Sequence, residues 1–170
     1  MIGRSEIYYK GIQLKAIEHR FRNMTEFQKK QEHVLEHDII ETNEDGMPSK
    51  IYQRFKMPMM SQRDSVMKFK MDKLKGEHEG KIFFCMYTCD DNKYPPKKDV
   101  IRINMFQGFL FWADGNDSRA LQFNTFNMGG YFPMRIMNMA MGSMLKKMME
   151  KSYTDLKQIQ DAESTGSTTE

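Results

Sequence analysis

Residues 56–70 have the sequence KMPMMSQRDSVMKFK, in which a proline among methionines is followed by a polar break. Proline close to polar residues is typical of a turn. After Arg63 and Asp64 the chain takes on the pattern of a strand. The stretch therefore predicts a turn that leads into a strand, and its position sets the order of the elements on either side.

Turn signals recur along the chain at the spacing of hairpins. Asp45-Gly46 is a strong hairpin signal, and the segments KLKGEHEG and ADGNDS are further polar connections that contain glycine. A charged, weakly amphipathic helical region is predicted over residues 12–32. The predicted strands cover residues 6–12, 37–41, 50–55, 65–71, 81–88, 100–106, 109–113 and 120–128. Such a series predicts an antiparallel, meandering sheet.

From Pro133 the pattern becomes helical for nearly thirty residues. Methionines recur along this segment in steps of three and four, which places them on one helical face. Methionine is flexible and polarisable, and the chain contains 18 of them. The fold class predicted is α+β, and the methionine face either packs flat on the sheet or roofs a cavity if the sheet curves. Residues 161–170, rich in serine and threonine, are predicted to be a disordered tail.

The composition is that of one soluble domain, with 39% hydrophobic and 29% charged residues among 170. Basic and acidic side chains number 26 and 23, which gives no electrostatic case for nucleic-acid binding. A lysine cluster is either a solvated face or a peripheral contact for an anionic membrane: Lys68, Lys70, Lys73, Lys75, Lys81, Lys97 and Lys98. Two cysteines without a signal peptide indicate a reduced, intracellular location, cytoplasmic or alternatively in a mitochondrial or membrane-associated complex.

Catalytic motifs are weak. HVLEH, residues 33–37, matches the zinc-peptidase pattern H-x-x-E-H, but it runs directly into DIIE, which has strand character and leaves no room for the helix that the motif requires. Cys85 and Cys89, four apart on a predicted strand, would lie about 13 Å apart, too far for a disulfide or a shared metal. No phosphate-binding loop or nucleophile elbow is present. The sequence predicts no enzyme, no metal site and no cofactor.

The stretch MPMMSQRDSVMKFK resembles the strand-entry signature of the steroidogenic-acute-regulatory-related lipid transfer (START) domain, in which a proline-containing turn, a serine and an Arg-Asp pair precede a strand. Upstream, HDIIETNEDGMPSKIYQRFKMP is similar to the hairpin before that signature. Downstream, VIRINMFQGFLFWADG resembles consecutive later strands, and FNMGGYFPMRIMN resembles the junction into the C-terminal helix. The resemblance covers roughly residues 6–160 in a consistent order.

The resemblance implies a helix-grip fold, a curved antiparallel sheet wrapped around the C-terminal helix and enclosing a tunnel for one lipid. It implies non-catalytic binding or transfer of a phospholipid or sterol, with access controlled by the helix and by the loop at residues 90–99, which contains Tyr94, Pro95 and Pro96. Arg63 and Asp64 are expected to tie the turn to neighbouring structure rather than to touch a ligand. The expected lining residues are Met137, Met141, Met144, Met148, Phe111, Phe123 and Trp112, of which adjacent Phe111 and Trp112 cannot both face inward.

The sequence departs from the family pattern in three places. The family domain has a further N-terminal helix and about two strands, the usual Trp-Asp pair is replaced by Phe27-Gln28, and the position of a charged tunnel residue is occupied by Phe69. A sheet without those strands would expose an edge that invites pairing with another chain. The alternative function is therefore a structural subunit of a larger assembly, with a protein partner over the open edge. A third is an enzyme of the wider helix-grip superfamily.

Overall fold

The computed structural model describes residues 2–29, 31, 33–56, 61–127, 129–130 and 134–166, without the side chains of residues 2, 134–145, 148 and 166. A short 3₁₀ turn at Gly76–His78 connects the fourth and fifth strands. The helices and strands in chain order are β1 (Ile2–Tyr9), α1 (Leu14–Arg22), α2 (Met24–Lys29), β2 (Val34–Thr42), β3 (Pro48–Phe55), β4 (Arg63–Lys73), β5 (Ile82–Thr88), β6 (Ile101–Arg102), β7 (Asn104–Asp114), β8 (Asp117–Asn127) and α3 (Met134–Gly166).

The strands form one curved sheet in the order β1-β8-β7-β5-β4-β3-β2. Every neighbouring pair in this order is antiparallel, as the hairpin signals predicted. The two-residue β6 stands apart because it pairs in parallel with the start of β4. The predicted α+β class, a curved antiparallel sheet with a long C-terminal helix, is confirmed.

The predicted boundaries differ from the structure in three places. The first strand ends at Tyr9 because the chain turns at Gly11, which has a φ of +67°. The helical region 12–32 contains two short helices that are separated at Asn23. The strands predicted around Gly108 are one strand, β7, since the glycine does not end it. A Cβ at Gly108 would lie 3.3 Å from the Phe106 ring. The aromatic ring therefore occupies the space that a side chain at this position would need.

The concave face of the sheet is filled at one end. There Phe21 of α1 lies against three phenylalanines, with ring centroids 4.6 Å from Phe84, 5.4 Å from Phe109 and 5.0 Å from Phe111. Leu156 of α3, 2% exposed, belongs to the same cluster. Fully burying a side chain of this size contributes about 1.5–3 kcal/mol, so the packed end anchors both helices to the sheet.

Helix α3 runs from one end of the concave face to the other. It follows Gly129 and Gly130, which lie against Ile101 beside the start of β4, and its later part holds Leu156 in the packed cluster. The helix continues through Gly166, so the predicted tail is wrong over residues 161–166. Glu163 in this last part lies 3.1 Å from His19 and 3.6 Å from Lys15 of α1. Within the described chain, no helix has both the length and the apolar character needed to cross a bilayer.

The turn before α3 depends on two glycines. Gly129 and Gly130 both have a φ of +61°, and a Cβ on Gly129 would lie 2.7 Å from Cγ2 of Ile101. Residues with a side chain rarely adopt this conformation, and the contact adds a steric conflict. The Gly-Gly pair is therefore needed both for its backbone angles and for its approach to β6.

We expect Gly129→Ala to lower the free energy of unfolding by more than the matched change Gly115→Ala. Gly115 has a φ of +63° but open space around it, so its substitution costs only the backbone term, about 1 kcal/mol. Urea unfolding of both variants measures the difference. Adding Ile101→Ala should remove the excess, and an excess that persists in the double variant would show that Ile101 is not its cause.

Candidate functional site

Adjacent residues at the start of β4 face opposite sides of the sheet. Arg63 is paired with Phe55 on the concave face, and Asp64 is paired with Arg54 on the convex face. Both side chains are buried, at 1% and 0% exposure. Arg63 donates a hydrogen bond to the main-chain oxygen of Ser61 at 2.8 Å, and burial lowers the pKa of its guanidinium. The pair therefore contacts neighbouring protein on both faces.

Asp64 is the centre of a polar cluster on the convex face. Arg102 of β6 donates to its two carboxylate oxygens at 2.7 and 3.0 Å, and the Tyr52 hydroxyl donates to it at 3.3 Å. The carboxylate raises the pKa of Arg102 through this hydrogen bond. Ile103 also donates its main-chain N–H to the main-chain oxygen of Asp64. These contacts fix the short parallel strand β6 against β4.

The predicted access loop, residues 90–99, lies across the same convex face. The Tyr94 ring stacks on Tyr52 with centroids 3.9 Å apart, its hydroxyl donates to Asp38, and its main-chain oxygen accepts from Arg102 at 2.9 Å. The hydrogen bond to Asp38 raises the pKa of Tyr94. Pro95 and Pro96 are exposed. These three contacts of Tyr94 hold the loop against the outer face of the sheet. The role of the loop in controlling access stays a prediction.

The three predicted aromatic lining residues do not share a face. Phe111 is concave and 1% exposed, although Phe21 already covers it. Phe123 is paired with Gly108, and Trp112 is paired with Arg119, which places both on the convex face. Their assignment as lining residues is therefore wrong, because the period of two sends the neighbours of Phe111 and of Gln122 to the opposite side. Which residues of β8 face the concave side follows only from its register with β7.

The predicted methionine lining lies on α3. The backbone at Met137, Met141, Met144 and Met148 is helical, but these side chains are outside the described residues.

The middle of the concave wall, between the packed end and the start of β4, is apolar. Met67, 3% exposed, and Phe69, 6% exposed, lie on β4, and the partly buried Met86 and Met105 lie on β5 and β7. The sequence patterns did not reveal these side chains as a group, because three strands must be placed in register before they become neighbours. Phe69 is part of this wall, so an apolar side chain occupies the position at which the family pattern has a charged residue.

The convex face carries exposed aromatic rings. Tyr87 and Phe106 are cross-strand partners that are 41% and 40% exposed, and Phe123 on the next strand is 44% exposed. We call these three residues the convex patch. Rings exposed together on one sheet face are a feature of interaction surfaces.

The zinc-peptidase pattern is not supported by the local structure. Residues 34–42 form β2, so His33 and His37 do not lie one turn apart on a helix. Among the described residues no group of three or more potential metal ligands comes together. His37 instead faces the concave side of the sheet, opposite Gln53.

The structure is similar to solved lipid-transfer domains. It matches human STARD10 with a TM-score of 0.74 and 16% identity over 96% of this chain and 66% of that chain. Human StAR-related lipid transfer protein 5 matches with a TM-score of 0.65 and 18% identity over 93% and 74% of the two chains. A STAR-related lipid transfer protein fragment from Xanthomonas axonopodis matches with 0.61 and 18% identity over 82% and 76%.

No protein-family model matches the sequence, and no curated protein matches it significantly. The chain spans just under two thirds of the length of the STARD10 structure. At this level of identity the likeness establishes the fold: the chain has the START-like helix-grip fold.

We expect Asp64→Asn to lower the free energy of unfolding by about 3 kcal/mol or more, because it leaves the Arg102 guanidinium buried without its carboxylate. The control is Asp114→Asn. Asp114 and Arg119 are separated by the same 2.7 Å as Asp64 and Arg102, but both side chains of this control pair are about half exposed. We therefore expect Asp114→Asn to lower the free energy of unfolding by less than about 1 kcal/mol. Equal losses in urea unfolding would contradict the anchoring role of Asp64.

Tyr52 gives the fold a dependence on alkaline pH. Burial, reinforced by the charge of Asp64, raises the pKa of Tyr52 to about 12. An unfolded tyrosine ionises near pH 10, so above that pH the unfolded state loses a proton that the folded state keeps, and stability falls. Relative to Tyr52→Phe, the wild type should lose about 1 kcal/mol between pH 8 and pH 11. A difference between the two proteins that stays constant over this range would refute the assignment.

Proposed function

We propose that the protein binds a lipid, without catalysis, between the concave wall and α3, and that it transfers this lipid between membranes. The observation that carries the proposal is the fold: a sheet curved around one long helix, similar over 96% of the chain to human STARD10 and over 93% to a human lipid transfer protein. The names of the second and of the bacterial relative describe them as lipid transfer proteins.

The chemistry of the concave wall supports this function. Ligand sites for apolar molecules are lined mainly by apolar side chains with few polar groups. Met67, Phe69, Met86 and Met105 supply an apolar surface, and the methionines among them adapt their shape to an acyl chain or a ring system. Each methylene that the ligand buries contributes about 0.8 kcal/mol, so binding needs no reactive group.

Access to the site is proposed to depend on α3 more than on the loop at residues 90–99. Two contacts tether the loop: the hydrogen bond from Tyr94 to Asp38, and an ion pair between Asp91 and Lys50 of β3. The side chains of Asp91 and Lys50 are both nearly buried. A groove of about 500 Å³ beside this loop is lined by four basic side chains, Arg54, Lys56, Lys97 and Lys98, and by one acidic side chain, Asp99. We propose that this groove is where the protein touches anionic membrane surfaces, and that the protein is cytoplasmic, a mitochondrial location being the alternative.

A structural role in an assembly is the second candidate, and the convex patch favours it. Tyr87, Phe106 and Phe123 expose about two fifths of their surfaces on one side of the sheet. The outer strand β1 has β8 as its neighbour in the described sheet and offers its other edge for pairing. A protein partner that covers the patch and this edge would use the fold as a scaffold, with no lipid required.

Native mass spectrometry separates the two candidates. Protein purified from its natural source, under conditions that preserve complexes, should appear as a free chain carrying one lipid, which extraction then identifies. An empty chain found only within a large assembly would overturn lipid transfer and support the scaffold role.

The cavity assignment has its own test. Met141→Trp and Met144→Trp should each lower the amount of lipid taken up from phosphatidylcholine–cholesterol vesicles severalfold, because an indole would fill the space of the ligand. The control is Met149→Trp on the same helix, where the side chain is 59% exposed and uptake should not change. Unchanged uptake in all three variants would place the ligand elsewhere.

A further inference from the structure

The concave wall contains a row of polar residues that crosses three strands. Gln53 of β3 is the cross-strand partner of His37 on β2 and of Ser65 on β4. Directly opposed side chains in a sheet lie about 5 Å apart, so the row spans roughly 10 Å. We call these three residues the polar row. It lies at the end of the face where β4 begins, beyond the apolar Met67.

Two members of the polar row have buried atoms without partners. Ser65 is 1% exposed, and its Oγ has no hydrogen-bond partner among the residues that the structure describes. The same holds, within the described chain, for both ring nitrogens of His37. Buried polar atoms almost always have partners, because leaving one unsatisfied costs about 1–3 kcal/mol. Two such side chains, on either side of Gln53, leave hydrogen-bonding capacity that a bound molecule can use.

The polar row is uncharged near neutral pH. Burial lowers the pKa of His37, and the positive charge of Lys29 lowers it further, while Asp38 and Glu26 act more weakly in the opposite direction. A neutral imidazole donates one hydrogen bond and accepts another, and a serine hydroxyl and a glutamine amide also do both. The row therefore complements a group that is itself donor and acceptor and carries no charge.

We propose that the polar row binds the uncharged polar end of the lipid, a hydroxyl or an amide, and so selects neutral lipids over those with an anionic phosphate. This inference rests on the proposed function. A phosphate at the row would be buried among neutral side chains, and burying an anion is costly unless a countercharge accompanies it. Arg63, two residues before Ser65 on the same strand face, is the nearby cation, and the test includes it.

The test uses a matched pair of serines. Ser118 is also fully buried, but its Oγ donates to the main-chain oxygen of Ile12 at 2.8 Å. In the absence of lipid, Ser118→Ala should lower the melting temperature, whereas Ser65→Ala should leave it unchanged or raise it, because it removes an unsatisfied hydroxyl. A clear loss of stability in Ser65→Ala would mean that its Oγ has a partner within the protein, and would overturn the polar row.

Lipid selection is measured with vesicles that contain phosphatidylcholine, phosphatidic acid, cholesterol, diacylglycerol and ceramide. The protein is separated from the vesicles, and its bound lipids are quantified by mass spectrometry. The wild type should retain one of the three lipids with a neutral hydroxyl or amide end. Ser65→Ala should lower that retention about fivefold relative to wild type, as expected for one lost hydrogen bond, while Ser118→Ala retains it.

The remaining outcomes separate the two proposals. Binding of no lipid at all by the wild type would overturn the proposed function itself. Lipid binding with the same preference in Ser65→Ala would leave the proposed function standing and overturn the role of the row. Preferential retention of phosphatidic acid, lost in Arg63→Gln but kept in Ser65→Ala, would show that Arg63 and a phosphate determine selection instead.

Discussion

A buried carboxylate on the outer face of the sheet holds the central part of this protein together. Asp64 accepts two hydrogen bonds from Arg102 and one from Tyr52, and its main-chain oxygen accepts from Ile103. Because Arg102 also donates to the main chain at Tyr94, one acid connects β4, β6 and the loop at residues 90–99. The concave wall depends on this arrangement, since Ile101 of β6 is the surface on which the turn into α3 rests.

The alternation of a strand separates this anchor from the proposed ligand site. Asp64 faces outward, and Arg63 and Ser65 on either side of it face the concave wall. The contacts of Asp64 therefore lie on one side of β4, and Met67, Phe69 and Ser65 lie on the other. Anchoring a strand from its outer face leaves its inner face available, which is a general solution for a binding site that must also be part of a stable sheet.

The two ends of the concave face have different compositions. At the packed end, aromatic rings from α1, β5 and β7 fill the space between sheet and helix. Towards the start of β4 the wall carries methionines and a phenylalanine, and then the polar row. Phe21 acts as the boundary, because it covers Phe84, Phe109 and Phe111 and leaves Met67 and Ser65 beyond it.

Local patterns in the sequence were sufficient for the succession of strands along the chain, their antiparallel pairing and the long C-terminal helix, because turn residues and hydrophobic periodicity act over a few neighbours. They did not predict that β1 pairs with β8, which lies more than a hundred residues later. The stretch KMPMMSQRDSVMKFK located the central strand correctly, and only the tertiary structure decided what its residues do. Which face Phe123 and Trp112 occupy depends on the register with neighbouring strands, and the pairing of Asp64 with Arg102 joins residues 38 positions apart. The polar row belongs to the same category, since His37, Gln53 and Ser65 become neighbours only when three strands align, and no local pattern encodes that alignment.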